Sequence, residues 1–260
     1  MKINKTKFIR RFVLAILVVG AVSAYFANRF VKSKGFDNLG DFVSNYYRNS
    51  SLADEVEPKE LKIKVSKTDF DFIKKRRQEG LERGIQINDG NNYVPCSVIF
   101  DGDTVLGEMR LKGHMTDHLE GEKWSYRVKT EQPIMGMYRF SLQHPGNRNY
   151  SYEWIYHQLL REEGVIALQY DFLNFTLNDD DLGIYAVEEH FGQHVLKSND
   201  RPKGAIIRWN PELFWEWRID ELQGVYLDEE YSAFSSAFAE PYDRGVVFKD
   251  SVLTRNYLEG

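Results

Sequence analysis

Apolar and polar positions alternate in short runs along most of the chain, and between those runs they recur with helical spacing. Leu61 to Val65, "LKIKV", has a period of two and predicts a short strand. The segment behind it predicts a helix starting near Ser66 or Thr68, with Phe70, Ile73 and Leu81 towards a core, "KKRRQE" towards water and Gly84 as the stop. In "YVPCSVIFDGDTVLGEMRLKG" two β-rich runs flank Asp101-Gly102-Asp103, the chemistry of a tight hairpin turn. Trp124 to Thr130 and Tyr138 to Gln143 alternate again, so consecutive antiparallel strands are expected. After Pro145 and Gly146, Ser151 is a natural cap for an amphipathic helix with Trp154, Ile155, Leu159 and Leu160 near one side, closed by Gly164. Gln169 to Glu189 predicts a second hairpin, turning at Asn178 to Asp181. A short helix in "HFGQHVLKSN", a strand in "GAIIRWN", a Trp-rich segment and a helix from Asp228 to Ala239 complete the pattern. The sum is an α+β domain, a mostly antiparallel sheet with two or three packed helices.

One stretch breaks the alternation. Five basic residues precede an uncharged apolar run from Phe12 to Ala27. That run is short for a spanning helix of roughly 20 residues, but Asn28 to Val31 extends it if Arg29 snorkels. An N-terminal transmembrane anchor is the leading expectation for residues 1–34; a signal peptide cut after the small residues Val22-Ser23-Ala24 is the competing one. Under either, the basic flank places the remainder outside the cytoplasm, as a single-pass membrane protein or a secreted one. Residues 35–60 are Ser/Asn-rich and end near Pro58, which reads as a polar linker ahead of a domain at 61–260.

Composition narrows the chemistry. Aromatic residues at 14% and apolar residues at 42% support a sizeable core, while a net charge of -5 and a pI near 5.8 argue against a nucleic-acid partner. The single Cys96 excludes an internal disulfide framework and a cysteine-built zinc site. Phosphate handling therefore has to be local. Arg110 and Lys112 share one face of their predicted strand, as do Arg127 and Lys129 of theirs, so four cations can line a cleft for an anionic ligand. The same spacing also suits a solvent-facing sheet surface. Glu188 and Glu189 end the second hairpin and point to opposite faces, one of them towards those cations. His114 with His118, and His190 with His194, lie four apart and would hold a metal only from a helix face and with a third ligand. No GxGxxG, GxxxxGK[ST] or GxSxG pattern occurs.

Taken in order, "RLKGH", "KWSYRVK", "FSLQHPGNR", "EWIYHQLLREEG" and "LGIYAVEEHF" resemble the CotH-type family of spore-coat atypical protein kinases. The likeness covers roughly residues 95–210 and lies in the order of the motifs on Arg110 to Gly113, Lys123 to Lys129, Ser151 to Gly164 and Asn178 to Glu189. It implies an atypical protein kinase-like lobe that binds ATP and Mg²⁺ and phosphorylates Ser or Thr of a protein substrate. It also implies a Lys–Glu pair at the nucleotide phosphates, Lys129 with Glu188 as first choice and Lys112 as the substitute. Two departures stand out. Asp179 follows Asn178 where the family often has Gly, and family members carry a further lobe with metal-binding and catalytic aspartates. The domain is thus expected to be incomplete, active if Asp220, Asp228 or Asp243 replaces those acids. The alternative expectation is a non-catalytic cell-envelope or coat module whose cationic sheet face binds an acidic partner.

Overall fold

The computed structural model describes residues 5–87, 92–210, 212–222, 224, 239–242 and 244–259. The chain divides into two compact units, Met1–Glu57 and Pro58–Gly260.

The first unit contains helix α1 (Lys5–Ser33) and helix α2 (Leu39–Asp54). Within α1, Ile9–Ser33 is long and apolar enough to cross a membrane or to act as a signal sequence. The second helix was not legible from composition. Its Ser and Asn residues look like linker, yet Leu39, Phe42, Val43, Tyr46 and Tyr47 recur at the spacing of one helical face. The start of α2 is tied to α1, since Leu39 N donates to Asn28 Oδ1 at 2.8 Å.

The second unit runs β1 (Glu60–Lys64), α3 (Lys67–Arg83), β2 (Val94–Phe100), β3 (Asp103–Leu111), β4 (Tyr126–Ile134), β5 (Met137–Gln143), α4 (Tyr152–Glu162), β6 (Tyr170–Leu177), β7 (Asp180–Glu189) and α5 (Gln193–Ser198). A two-stranded sheet of β8 (Ile207–Trp209) and β9 (Ala239–Pro241), helix α6 (Glu212–Leu222) and two short helices, Arg244–Val247 and Ser251–Glu259, follow. The Trp-rich segment itself forms α6. Most of the helix expected over Asp228 to Ala239 lies outside the described residues, as do Asp228 and Asp243.

The mixed α/β character and the mostly antiparallel pairing agree with the sequence, but the sheet is a closed barrel and not the kinase-like lobe that the resemblance implies. Seven strands close into a barrel in the order β1-β2-β3-β4-β5-β7-β6. Closure comes from β1, which pairs antiparallel with β2 and parallel with β6, from Glu60 opposite Asn174 to Ile63 opposite Leu177. An open sheet would leave the edges of β2 and β6 with unpaired backbone groups, and one short strand satisfies both. Leu61 and Ile63 point inward and are fully buried with Val98, Met109, Val128, Phe140, Leu142, Phe175 and Tyr185. Strands β3 and β4 approach closely at Gly107, where an added Cβ would lie 2.3 Å from the Lys129 carbonyl oxygen.

Turn chemistry follows the sequence. Asp101 and Gly102 both have positive φ and join Phe100 to Asp103, as a two-residue hairpin of the primed type requires. Ser66 caps α3 by accepting from Asp69 N, and Gly84 ends it in the left-handed region. The basic face of α3 is less free than expected: Arg77 donates to Leu119 O at 2.7 Å and stacks 4.5 Å from the Trp124 ring. At the β6–β7 turn, Asn178 has a φ of 56°, its N donates to Ile63 O at 2.7 Å, and its Oδ1 accepts from Val65 N at 2.9 Å. One residue therefore turns the hairpin and fastens β1 into the barrel. Replacing Asn178 by Ala removes a hydrogen bond and puts a less tolerant residue in the left-handed region, an expected loss of about 1–3 kcal/mol. Urea unfolding of Asn178→Ala beside Asn178→Gly checks this; equal stability of wild type and the Ala variant would refute the fastening role.

Helix α4 departs most from expectation. Its apolar side faces solvent, with Ile155 and Leu159 exposed, while His157 is buried and Glu153 half-buried. The polar side is turned inward because the barrel surface beneath it is itself polar.

Candidate functional site

Register decides which charged residues meet. Arg110 lies opposite Arg127, Arg127 opposite Ser141, Ser141 opposite Glu188 and Glu188 opposite Tyr170, so one transverse row crosses β3, β4, β5, β7 and β6. Directly opposed residues project to the same face, here the face away from the barrel core. Lys112, two residues beyond Arg110, projects to that face as well.

The row ends in a buried ion pair. Lys112 Nζ lies 2.6 Å from Glu188 Oε2, with side chains only 9% and 16% exposed. Fully buried Gln143 holds both partners, its Oε1 accepting from Lys112 at 2.8 Å and its Nε2 donating to Glu188 at 3.3 Å. Burial pulls the Lys112 ammonium below the usual lysine value against the pull of Glu188. Burial also opposes ionisation of Glu188, yet Lys112, Arg127 and Arg148 together hold its carboxyl below the usual carboxylate range. The pair is therefore an ammonium and a carboxylate set among further positive charge. From α4, Glu153 pairs with Arg148 at 3.1 Å, and its carboxyl is pushed up by burial and by Glu188. The buried His157 imidazole beside it is lowered by burial.

Arg110 and Arg127 of the same sheet face, with Arg139, Arg208, His190 and Tyr242, help to line a cleft of about 780 Å³, whereas Lys112 and Glu188 are not among its described lining residues. Among the described residues that line it, none is acidic. Arg208 reaches it while held by the buried Glu240 at 2.7 Å. His190 accepts from the Arg127 guanidinium through Nδ1. Burial, followed by Arg127 and Arg139, pushes the imidazole down to about 3. It stays neutral at physiological pH and leaves the arginines to carry the charge. Such a cavity suits a ligand with several anionic oxygens, because each guanidinium offers a planar fork of donors. No protein-family model and no curated protein matches the chain.

Of the six residues singled out from sequence, Arg110, Lys112, Arg127 and Glu188 come together here. Lys129 does not. It lies in the next row, opposite Glu108 and Arg139, with Nζ 3.4 Å from Glu108 and 3.5 Å from the centre of the Tyr93 ring. Register thus replaces the favoured Lys129–Glu188 pair with Lys112–Glu188. Glu189 points to the other face, as alternation requires. It is 2% exposed, accepts from Gln169 N at 3.0 Å and lies 3.4 Å from His194 Nε2, so it ties β6 to α5.

His114 and His118 take different partners, whereas His190 and His194 both line the cleft. His114 bonds Gln86 O, His118 meets Ser125 Oγ at 2.9 Å, and among the described residues no group of three His, Cys, Asp or Glu converges on a metal position. Sequence reading missed Gln143, Arg139, Arg148 and His157. Gln143 and Arg139 sit at outward positions of the alternating strand that begins at Met137, so their shared face was legible. His157 was not, because the inward side of α4 is its polar one.

Proposed function

We propose that the chain is a membrane-anchored, CotH-like domain that binds the phosphates of Mg²⁺-ATP on the cationic outer face of its barrel. The observation that carries this reading is the buried Lys112–Glu188 pair at 2.6 Å on the sheet face whose Arg110 and Arg127 line the arginine-rich cleft. In kinases a Lys–Glu pair orients the lysine towards the nucleotide phosphates, and here Lys112 and Glu188 form such a pair on the sheet face that Arg110 and Arg127 share. The cleft fits the triphosphate by its donor chemistry. The described residues offer no acidic cluster for the metal, so magnesium would arrive with the nucleotide. Phosphoryl transfer to Ser or Thr of a protein is the further reading that the resemblance supports. An extracytoplasmic domain held by an uncleaved α1 is the placement supported by the apolar helix and its basic flank.

Titration of Mg²⁺-ATP into the full chain in detergent is expected to give micromolar binding. Arg127→Ala should weaken it by roughly tenfold or more, the value of a charge-assisted hydrogen bond of about 1.5–3 kcal/mol. Absence of heat from folded protein would overturn the nucleotide reading. Tripolyphosphate binding as tightly as ATP would replace it with a general polyanion site, and with the acidic-partner alternative.

A further inference from the structure

The first unit carries a surface that the nucleotide reading does not use. Around the axis of α2, Leu39, Phe42, Val43, Tyr46 and Tyr47 form one face, and Asp41, Ser44, Asn45 and Arg48 form the other. The polar face is internally satisfied: Asn45 Nδ2 donates to Asp41 Oδ1 at 2.7 Å, and Arg48 donates to Asn45 Oδ1 at 2.8 Å. The aromatic face is open, with Tyr46 63% and Tyr47 68% exposed.

We propose that α2 lies along the membrane surface beside α1, with its Phe/Tyr face at the boundary between headgroups and acyl chains. The proposal rests on α1 as an uncleaved anchor and not on nucleotide binding. Covalent connection gives the reason for this occupant. Residues 34–38 are too few to carry α2 away from the end of α1, since five residues span at most about 18 Å even when extended. The contact from Leu39 N to Asn28 Oδ1 sets the start of α2 beside the turn of α1 where its apolar run gives way to Asn28, Arg29 and Lys32. That transition marks the interfacial depth of a spanning helix. Tyrosine and phenylalanine suit that layer, the phenol keeping its hydroxyl in the headgroups while the ring sits against the chains. Asp41, Arg48 and Asp54 nearly cancel, so the attachment is driven by the aromatic face and not by anionic lipid.

The test uses the full chain, with Cys96→Ser, reconstituted in phosphatidylcholine vesicles. Single spin labels are placed by Val18→Cys in α1, by Val43→Cys and Tyr46→Cys on one face of α2, and by Asn45→Cys and Arg48→Cys on the other. Labels at 43 and 46 are expected to show a severalfold higher ratio of collision with lipid-soluble oxygen to collision with a water-soluble nickel chelate than labels at 45 and 48. Uniform access to nickel along α2 would place the helix in water and overturn the proposal. Shielding of 43 and 46 from both reagents would show a protein surface covering that face, and would also overturn it. The label at 18 reports on the anchor: nickel access there removes the spanning helix and the proposal with it. A buried label at 18 with an exposed α2 isolates the failure to α2.

Discussion

Glu188→Ala is expected to destabilise the second unit by about 3–5 kcal/mol, the cost of leaving a buried ammonium without its carboxylate. Lys112 has no water to turn to. It is 7% exposed, and its other partner, Gln143 Oε1, is neutral. The double variant Lys112→Met with Glu188→Leu removes both charges at similar volume and should recover most of that loss, because the desolvation cost disappears with the pair. Urea unfolding of the single and double variants measures the difference. A single variant within about 0.5 kcal/mol of wild type would mean that Lys112 finds water or sheds its proton. The double variant also separates stability from binding, since it is expected to be folded and yet weakened for Mg²⁺-ATP.

Glu188 adds a pH dependence of definite sign. Its folded pKa is held below the ordinary glutamate value by Lys112, Arg127 and Arg148, against burial. The stabilisation is complete above the unfolded value of about 4.3 and is lost as pH falls through the lower folded value. Stability measured through that acid range should fall less steeply for Glu188→Gln than for wild type.

The second large effect lies inside the barrel. Phe175 is fully buried, 4.9 Å from the Tyr185 ring centre and 5.9 Å from that of Tyr126. It sits on β6 opposite Leu61 of β1, at the seam that closes the sheet. Phe175→Ala is expected to cost about 3–5 kcal/mol through lost burial and the cavity left behind. Leu159→Ala, on the exposed side of α4, should stay within about 0.5 kcal/mol of wild type. Comparable losses at the two positions would show that the outer face of α4 is covered and that the barrel interior does not dominate the stability.

Each strand of the barrel was readable because local rules govern it. A period of two defines the faces, Asp101-Gly102 and Asn178 turn the hairpins, and Ser66 and Gly84 bound α3. Those rules also separated Glu188 from Glu189 and set Arg110 with Lys112, and Arg127 with Lys129, on one face of their own strands. Helix α2 was equally local, but its Ser/Asn content masked the spacing of Phe42, Val43, Tyr46 and Tyr47. Alternation is silent about which strands become neighbours. That β1 would bridge β2 and β6, and that Lys112 instead of Lys129 would reach Glu188, depended on register between segments far apart in the chain, as the 76-residue separation of Lys112 and Glu188 illustrates. The inward turn of Glu153 and His157 on α4 had the same origin. An amphipathic helix normally buries its apolar side, and only the polar surface beneath it decided otherwise. The sequence by itself determined the strands, their turns and the sidedness of each charge, because these depend on neighbours along the chain. Tertiary structure alone decided barrel closure and the partner of each buried charge, because both depend on which distant backbone groups and side chains must satisfy one another once water is excluded.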